Sequence, residues 1–342
     1  MTDPRAICVF LAAALGDFVN ALPALWALRR RFPSSRLELA GTPSWLPLAE
    51  ATSLVDRAHS IEGLPLSEGF QRPLPDRGAL ARFLQRFDLV LSWFGDREGR
   101  WAEALRHLCA GRAFVHPFHR HLEFPGHVSD FFLQTLAELG IDPVPPAATG
   151  LALPQGTWPA VRGEPDGPGP SVSPYICIHP GSGGKHKNWP RDRLLAVALG
   201  IRSAAGAPPV KILLGPAEED SRPFWTGREA SGVEVVGDLG ILELAAVLAG
   251  AGAYLGNDSG VTHLAAALGV PTVALFGPTD PLRWGPRGPN VRILRGEAPC
   301  SPCAGGTTAE ACGLKCLCAI EVDDAMAALE DARKGGNRGS GQ

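Results

Sequence analysis

A chain of two α/β domains, each built on a doubly wound parallel sheet, is what the sequence predicts, and three observations carry the prediction. Its 342 residues exceed what one hydrophobic core ordinarily supports. Short β-branched or apolar runs alternate with amphipathic stretches, the pattern of βαβ units. The alternation breaks once, between Pro143 and Pro174, where proline, glycine and small polar residues take over; Glu164-Pro-Asp-Gly-Pro-Gly-Pro170 sustains neither a helix nor a central strand. The expected organisation is a first domain over residues 1–155, a linker over 156–174, a second domain over 175–330 and a disordered tail over 331–342.

In the first domain, strands are expected at Ile7 to Leu11, Leu37 to Ala40, Leu89 to Ser92 and Ala113 to Val115. Helices are expected near Phe18 to Arg31, Ala79 to Phe87, Trp101 to Leu108 and Asp130 to Leu139. In the second, strands are expected at Tyr175 to His179, Val210 to Leu214, Val233 to Val236, Ala253 to Leu255 and Thr272 to Phe276. Its helices are expected at Arg191 to Ala204, Ser221 to Ala230, Leu242 to Ala249 and Val261 to Leu268. Sheets of this kind bind ligands at the carboxyl ends of their strands, so the chemistry is sought in the loops that follow them and in a cleft between the two domains.

Composition excludes several classes. A hydrophobic share of 45%, a charged share of 20% and a formal net charge of -3 describe an ordinary globular protein with no global attraction for nucleic acid, so any anion site is local. The first residues run into a strand without the basic flank and cleavage site of a signal peptide, which predicts a cytoplasmic location. The apolar stretches Ala6 to Leu15 and Leu244 to Leu255 are shorter than the roughly 18 residues of a membrane span. No transmembrane segment is expected, and a lipid-linked substrate would be met at the membrane surface.

Three loops carry candidate chemistry. After the first strand comes Ala12-Ala-Ala-Leu-Gly-Asp-Phe-Val-Asn-Ala-Leu-Pro23, in which Gly16 suits a tight turn and Asp17 falls at or near the N-cap of the next helix, where capping alone would account for it. The dinucleotide fingerprint Gly-x-Gly-x-x-Gly is absent, which argues against a dehydrogenase. The second loop, His179-Pro-Gly-Ser-Gly-Gly-Lys-His-Lys-Asn-Trp-Pro190, combines three glycines, Ser182 and two of the chain's five lysines, Lys185 and Lys187: a phosphate cradle in character, without the spacing of a P-loop. The third, Gly256-Asn-Asp-Ser-Gly-Val-Thr-His263, passes from a strand into a helix, whose unpaired amides and positive dipole end suit a diphosphate. Helix capping by Asp258 and Ser259 and an ordinary half-buried His263 fit the same residues.

Taken in order, Leu15-Gly-Asp-Phe-Val-Asn-Ala-Leu-Pro23, Lys187-Asn-Trp-Pro190, and Asn257-Asp-Ser-Gly-Val-Thr-His263 with Phe276-Gly-Pro-Thr-Asp280 resemble the motifs of glycosyltransferase family 9, the lipopolysaccharide heptosyltransferases. The resemblance implies the GT-B fold, two Rossmann-like doubly wound domains facing across a cleft. It further implies inverting transfer of a heptose from an ADP-heptose donor to the inner core of a lipid A-Kdo type lipopolysaccharide precursor, at the cytoplasmic face of the inner membrane. Asp17 would be the general base, with Gly16 and Asn20 beside the acceptor. Lys187 and the amides of Gly260 and Val261 would stabilise the leaving diphosphate. Ser182, Asp258, Ser259, Thr262 and His263 would line the donor, and Glu218 or Glu219 would meet the ribose. No cofactor and no divalent metal are implied. The family's opening motif often has a basic residue on its strand and a histidine where this chain has Asn20. A different nucleotide-sugar or acceptor within the family, or a catalytically silent nucleotide-sugar binding module, are the alternatives.

Two further features stand apart. His116-Pro-Phe-His-Arg-His121 is a basic, aromatic patch that reads either as a solvated loop, the favoured reading, or as a contact for acceptor phosphates. Cys300, Cys303, Cys312 and Cys316, with Cys318 beside them, could supply four thiolates to a structural zinc, although free or packed thiols rank ahead of a metal and disulfides are not expected in a reducing compartment.

Overall fold

The computed structural model describes residues 3–142, 150, 151, 153, 175–227, 231–303 and 312–336. The linker expected at 156–174 and the tail residues 337–342 lie outside them. The chain divides into two compact units, Met1–Pro154 and Gln155–Gln342.

The first unit carries β1 (Ala6–Leu11), β2 (Arg36–Gly41), β3 (Arg57–Ser60), β4 (Leu89–Ser92) and β5 (Arg112–Val115), parallel throughout in the order β3-β2-β1-β4-β5. All six residues of β1 are buried, as befits the middle of a parallel sheet covered on both faces. Helices α1 (Leu15–Arg31), α2 (Leu46–Ala51), α3 (Ala79–Leu84), α4 (Arg100–Leu108) and α5 (Val128–Gln134) complete it. On one face, Phe10 packs edge-on against Trp101, 5.4 Å between centroids, within a cluster that includes Leu80, Phe87 and Leu105. Burying each large side chain stabilises the unit by about 1.5–3 kcal/mol.

The second unit has β6 (Ile176–His179), β7 (Val210–Leu214), β8 (Val233–Gly237), β9 (Ala253–Asn257), β10 (Thr272–Phe276) and β11 (Val291–Arg295), again all parallel, in the order β11-β10-β9-β6-β7-β8. Its helices are α6 (Arg191–Arg202), α7 (Arg222–Trp225), α8 (Ile241–Ala249), α9 (Gly260–Ala267), α10 (Pro281–Trp284), α11 (Lys315–Cys318) and α12 (Val322–Gly336). Helix α12 lies on α6 and inserts Ala325, Ala328 and Leu329 into the core. A Cβ at Gly200 of α6 would come within 2.8 Å of the Met326 sulfur, the end of a flexible side chain that would have to turn aside.

Both sheets reverse strand order once, between β1 and β4 and between β6 and β9. Because right-handed crossovers place helices on opposite faces on either side of such a reversal, each unit is doubly wound. The expected fold class, two Rossmann-like units of the GT-B type, is observed.

Local corrections follow from packing. Residues 331–336, read as tail, belong to α12, because its apolar stripe finds a partner in α6. Of the helix expected over Ser221 to Ala230, Ser221 belongs to the 3-10 turn Pro216–Ser221, Arg222–Trp225 is α-helical, and 228–230 lie outside the described residues. The edge strands β3 and β11 and the short helix α2 were not expected; β3 is polar and four residues long, too little for period-two alternation to register.

Candidate active site

The second and third candidate loops leave neighbouring strands at the reversal point of the second sheet, where His179 of β6 is in register with Gly256 of β9. Asn257, fully buried, joins them: its Nδ2 donates to the Pro180 carbonyl at 2.8 Å and its Oδ1 accepts from the Trp189 amide at 2.9 Å. Buried polar atoms must be paired, so this carboxamide fixes the spacing of the two loops.

Helix α9 begins at Gly260, as expected, with Ser259 as N-cap and its Oγ accepting from the Thr262 amide at 3.3 Å. The Thr262 hydroxyl, wholly buried, meets Tyr254 Oη at 3.0 Å and donates to the Asn257 carbonyl. Ser259 and Thr262 therefore shape the turn. By helix geometry the amides of Gly260 and Val261 have no intrahelical acceptor, and they form the positive end of the dipole.

Lys187, at the end of the 3-10 turn Lys185–Lys187, reaches across to this point: its Nζ is 2.9 Å from Asp258 Oδ2, which also accepts from the Thr279 hydroxyl at 2.8 Å. Asp258 is 9% exposed and Lys187 27%. His263, behind them, is buried, and burial pushes its imidazole down to about 4; the Asp258 charge and a hydrogen bond to the Trp284 backbone act the other way, and the Lys187 charge adds to the depression. At neutral pH it is an uncharged ring, so the site's positive charge comes from Lys187 and the helix end.

Ser182 sits at the mouth of the glycine-rich loop, its Oγ donating within the loop to the Gly184 carbonyl at 2.7 Å or the Asn188 Oδ1 at 2.6 Å. Glu218 and Glu219, equivalent in the sequence, are separated by the structure. Glu219 is bound to Arg222 by hydrogen bonds of 2.9 Å. Glu218 is buried, accepts from the Gly215 amide at 2.9 Å and lies 3.6 Å from His179 Nε2. Burial alone would raise its pKa, but His179 and the Gly215 amide outweigh it and hold the carboxyl below its usual range. A Cβ at Gly181 would sit 1.8 Å from Glu218 Oε1, so only glycine fits against this carboxylate. His179, which also faces Ser259 Oγ at 3.5 Å, was not singled out in the sequence, where it is merely the last residue of a strand.

In the first unit, Asp17 lies near the N-cap of α1, as expected: the N-cap is Ala14, Asp17 is the third residue of the helix, and its Oδ2 accepts from the Ala14 amide at 3.2 Å. Gly16 lies inside the first helical turn and is not the tight-turn glycine expected. Asn20 is buried and accepts from Ser129 Oγ at 3.0 Å, tying α1 to α5. The His116–His121 patch is not a solvated loop: Phe118–Glu123 forms a 3-10 turn in which Phe118 stacks on His121 and on Phe132.

All eight cysteines are free thiols, and the Cys300 thiol contacts those of Cys303 and Cys312. Among the described residues no group of three or more His, Cys, Asp or Glu side chains is arranged to hold a metal ion. No described helix is long and apolar enough to cross a membrane.

Comparison with known proteins points in the same direction as the ordered motifs. Residues 157–313 match the model of glycosyltransferase family 9 (heptosyltransferase). The chain is 29% identical over 319 residues to lipopolysaccharide heptosyltransferase 1 of Pseudomonas aeruginosa, covering 85% of this chain and 84% of that one. It is 22% identical over 297 residues to lipopolysaccharide heptosyltransferase 3 of Escherichia coli, covering 81% and 84%. Among solved structures, the family 9 glycosyltransferase of Veillonella parvula superposes with a TM-score of 0.72 at 19% identity, covering 97% of both chains. The E. coli heptosyltransferase WaaC with ADP-2-deoxy-2-fluoro heptose gives 0.68 at 20% identity, covering 95% of this chain and 99% of that one. With three ordered motifs, two doubly wound units and these matches, the chain is a glycosyltransferase whose residues 157–313 match glycosyltransferase family 9.

Proposed function

We propose that the protein transfers a heptose, with inversion, from ADP-heptose to the inner core of a lipopolysaccharide precursor, working from the cytoplasmic surface of the inner membrane. The observation that carries the donor half is the Lys187–Asp258 pair, 2.9 Å apart at the start of α9. A cation and unpaired amides at one point are what a leaving diphosphate needs, and they supply charge stabilisation without a divalent metal.

In this reading the acceptor hydroxyl attacks the anomeric carbon, its proton passes to the Asp17 carboxylate, the bond from that carbon to the diphosphate oxygen breaks, and ADP leaves. Lys187 shifts from Asp258 toward the diphosphate, which Ser182 and the amides of Gly260 and Val261 also meet. Asp258, released from part of its ion pair, accepts hydrogen bonds from sugar hydroxyls, with Ser259, Thr262 and neutral His263 shaping the turn around it. Glu218, ionised and held by His179, accepts from the ribose hydroxyls. Gly16 lets the acceptor approach the start of α1.

The test pairs calorimetry with turnover. ADP-heptose should bind at least tenfold more tightly than UDP-sugars, and Asp17→Ala should abolish transfer while leaving ADP affinity within about twofold. Preference for a UDP-sugar would overturn the donor assignment; loss of binding and transfer together in Asp17→Ala would make this aspartate a structural cap.

A further inference from the structure

One cavity lies apart from the donor residues. In the first unit, a pocket of about 320 Å³ opens between the end of β5, the Phe118–Glu123 turn and α5, walled by His116, Arg120, Glu123, Phe124, Phe131 and Gln134. Its aromatic wall is Phe124 and Phe131, whose rings meet edge to face at 6.0 Å; outside the lining, Phe118 stacks on the buried Phe132 at 5.4 Å with 7° between planes. Thr135 closes the bottom, its hydroxyl accepting from Trp93 Nε1 at 3.0 Å and donating to the Phe132 carbonyl at 2.7 Å, which leaves one lone pair of the hydroxyl oxygen unused.

Charge decides what such a pocket can take. Arg120 has Glu123 at 3.9 Å, and His116 has Glu138 at 3.9 Å. Burial lowers the His116 pKa, with Glu138 opposing and Arg120 assisting, so at neutral pH the ring is uncharged. The one guanidinium of the wall is offset by the one carboxylate beside it, which makes a poor site for a phosphate or an acidic sugar. What remains is apolar ring faces bordered by an amide, a hydroxyl oxygen and a guanidinium–carboxylate pair. Ring faces beside mixed donors and acceptors match a pyranose, which presents C–H groups on its faces and hydroxyls around its rim.

Position relates the pocket to the reaction. β5 is two places from β1 in the sheet, about 10 Å at the usual strand spacing. α5 is anchored to α1 through Ser129 and Asn20, 3.0 Å apart. Asp17 at the start of α1 and the pocket at the end of β5 therefore share the carboxyl edge of one sheet, separated by the reach of a disaccharide. We propose that this pocket is an acceptor subsite for a neutral pyranose, the sugar adjoining the one whose hydroxyl is glycosylated. The assignment to an acceptor rests on the function proposed above.

Saturation-transfer NMR on the full chain with methyl α-mannopyranoside, and separately with inorganic phosphate, tests it without any turnover. The glycoside should receive saturation from the wild type and lose at least three-quarters of it in Gln134→Ala, whose side chain is exposed and can be removed without disturbing the fold, and in Phe124→Ala. In transfer assays Gln134→Ala should raise the acceptor KM about tenfold, with kcat and ADP affinity unchanged. Phosphate binding that depends on Arg120, with none by the glycoside, would make this an anion site and overturn the proposal. Glycoside binding unaltered by both substitutions would also overturn it. If ADP-heptose proves not to be the donor, the NMR result still decides whether the pocket binds a sugar. If transfer is confirmed and the glycoside fails, only the subsite falls.

Discussion

Replacing Lys187 by alanine separates its two proposed contributions. The substitution removes the cation 2.9 Å from a carboxylate that is only 9% exposed. Breaking a fully buried ion pair by deleting one partner costs about 3–5 kcal/mol. Lys187 is itself 27% exposed, so water recovers part of this, and about 2 kcal/mol remains, a fall in Tm of about 4–8 °C for a unit of this size. Losing a charge-assisted hydrogen bond to the diphosphate costs about 1.5–3 kcal/mol, or ADP binding weakened about 10- to 150-fold. Adding Asp258→Asn discharges the stranded carboxylate, so the double variant should regain most of the stability and little of the ADP affinity. Thermal unfolding and calorimetric ADP titration of the three variants measure both quantities. Unchanged Tm and ADP affinity in Lys187→Ala would refute the reasoning, and full recovery of ADP binding in the double variant would show that Lys187 only screens Asp258 and never meets phosphate.

His263, held near pKa 4 against 6.5 for an unperturbed imidazole, sets a pH dependence. The unfolded chain binds the proton first as pH falls, so stability should drop between about pH 6.5 and 4 by up to about 3 kcal/mol, and His263→Gln should flatten denaturation curves in that window. In Lys187→Ala the His263 pKa should rise, as an NMR titration of the ring would report, because a cation that depresses it has gone. Gly181→Ala should displace Glu218 from His179, destabilise the second unit by about 1–3 kcal/mol and reduce the preference for ADP over its 2′-deoxy analogue in calorimetry. Asn20→Ala should cost about 1–2 kcal/mol in urea unfolding through the lost Ser129 contact, with kcat and acceptor KM unaltered; a selective rise in acceptor KM would instead make Asn20 an acceptor ligand.

Most of the fold was legible in the chain because its central strands are buried on both faces. A run such as Ala6–Leu11 or Thr272–Phe276 has to be apolar throughout, and that constraint is written locally. The three loops were legible for a similar reason: glycine, scarce lysine and helix-start residues declare a backbone geometry and a charge within a dozen positions. Polar edge strands such as β3, and α12, whose apolar stripe acquires meaning only against α6, declare nothing until a partner is present.

The sequence by itself determined the fold class, the family motifs and the position of the turn that leads into α9. Only the tertiary structure decided what each polar group in it does. Glu218 and Glu219 are chemically identical neighbours in the chain, yet one is buried against His179 and the other is spent on Arg222. Asn20 proves to be a tie to Ser129, 109 positions away, and Asp258 gains its counter-ion from a different loop. Ionisation, burial and pairing are set by atoms distant in sequence that a parallel sheet brings to one edge, and no local pattern carries that information.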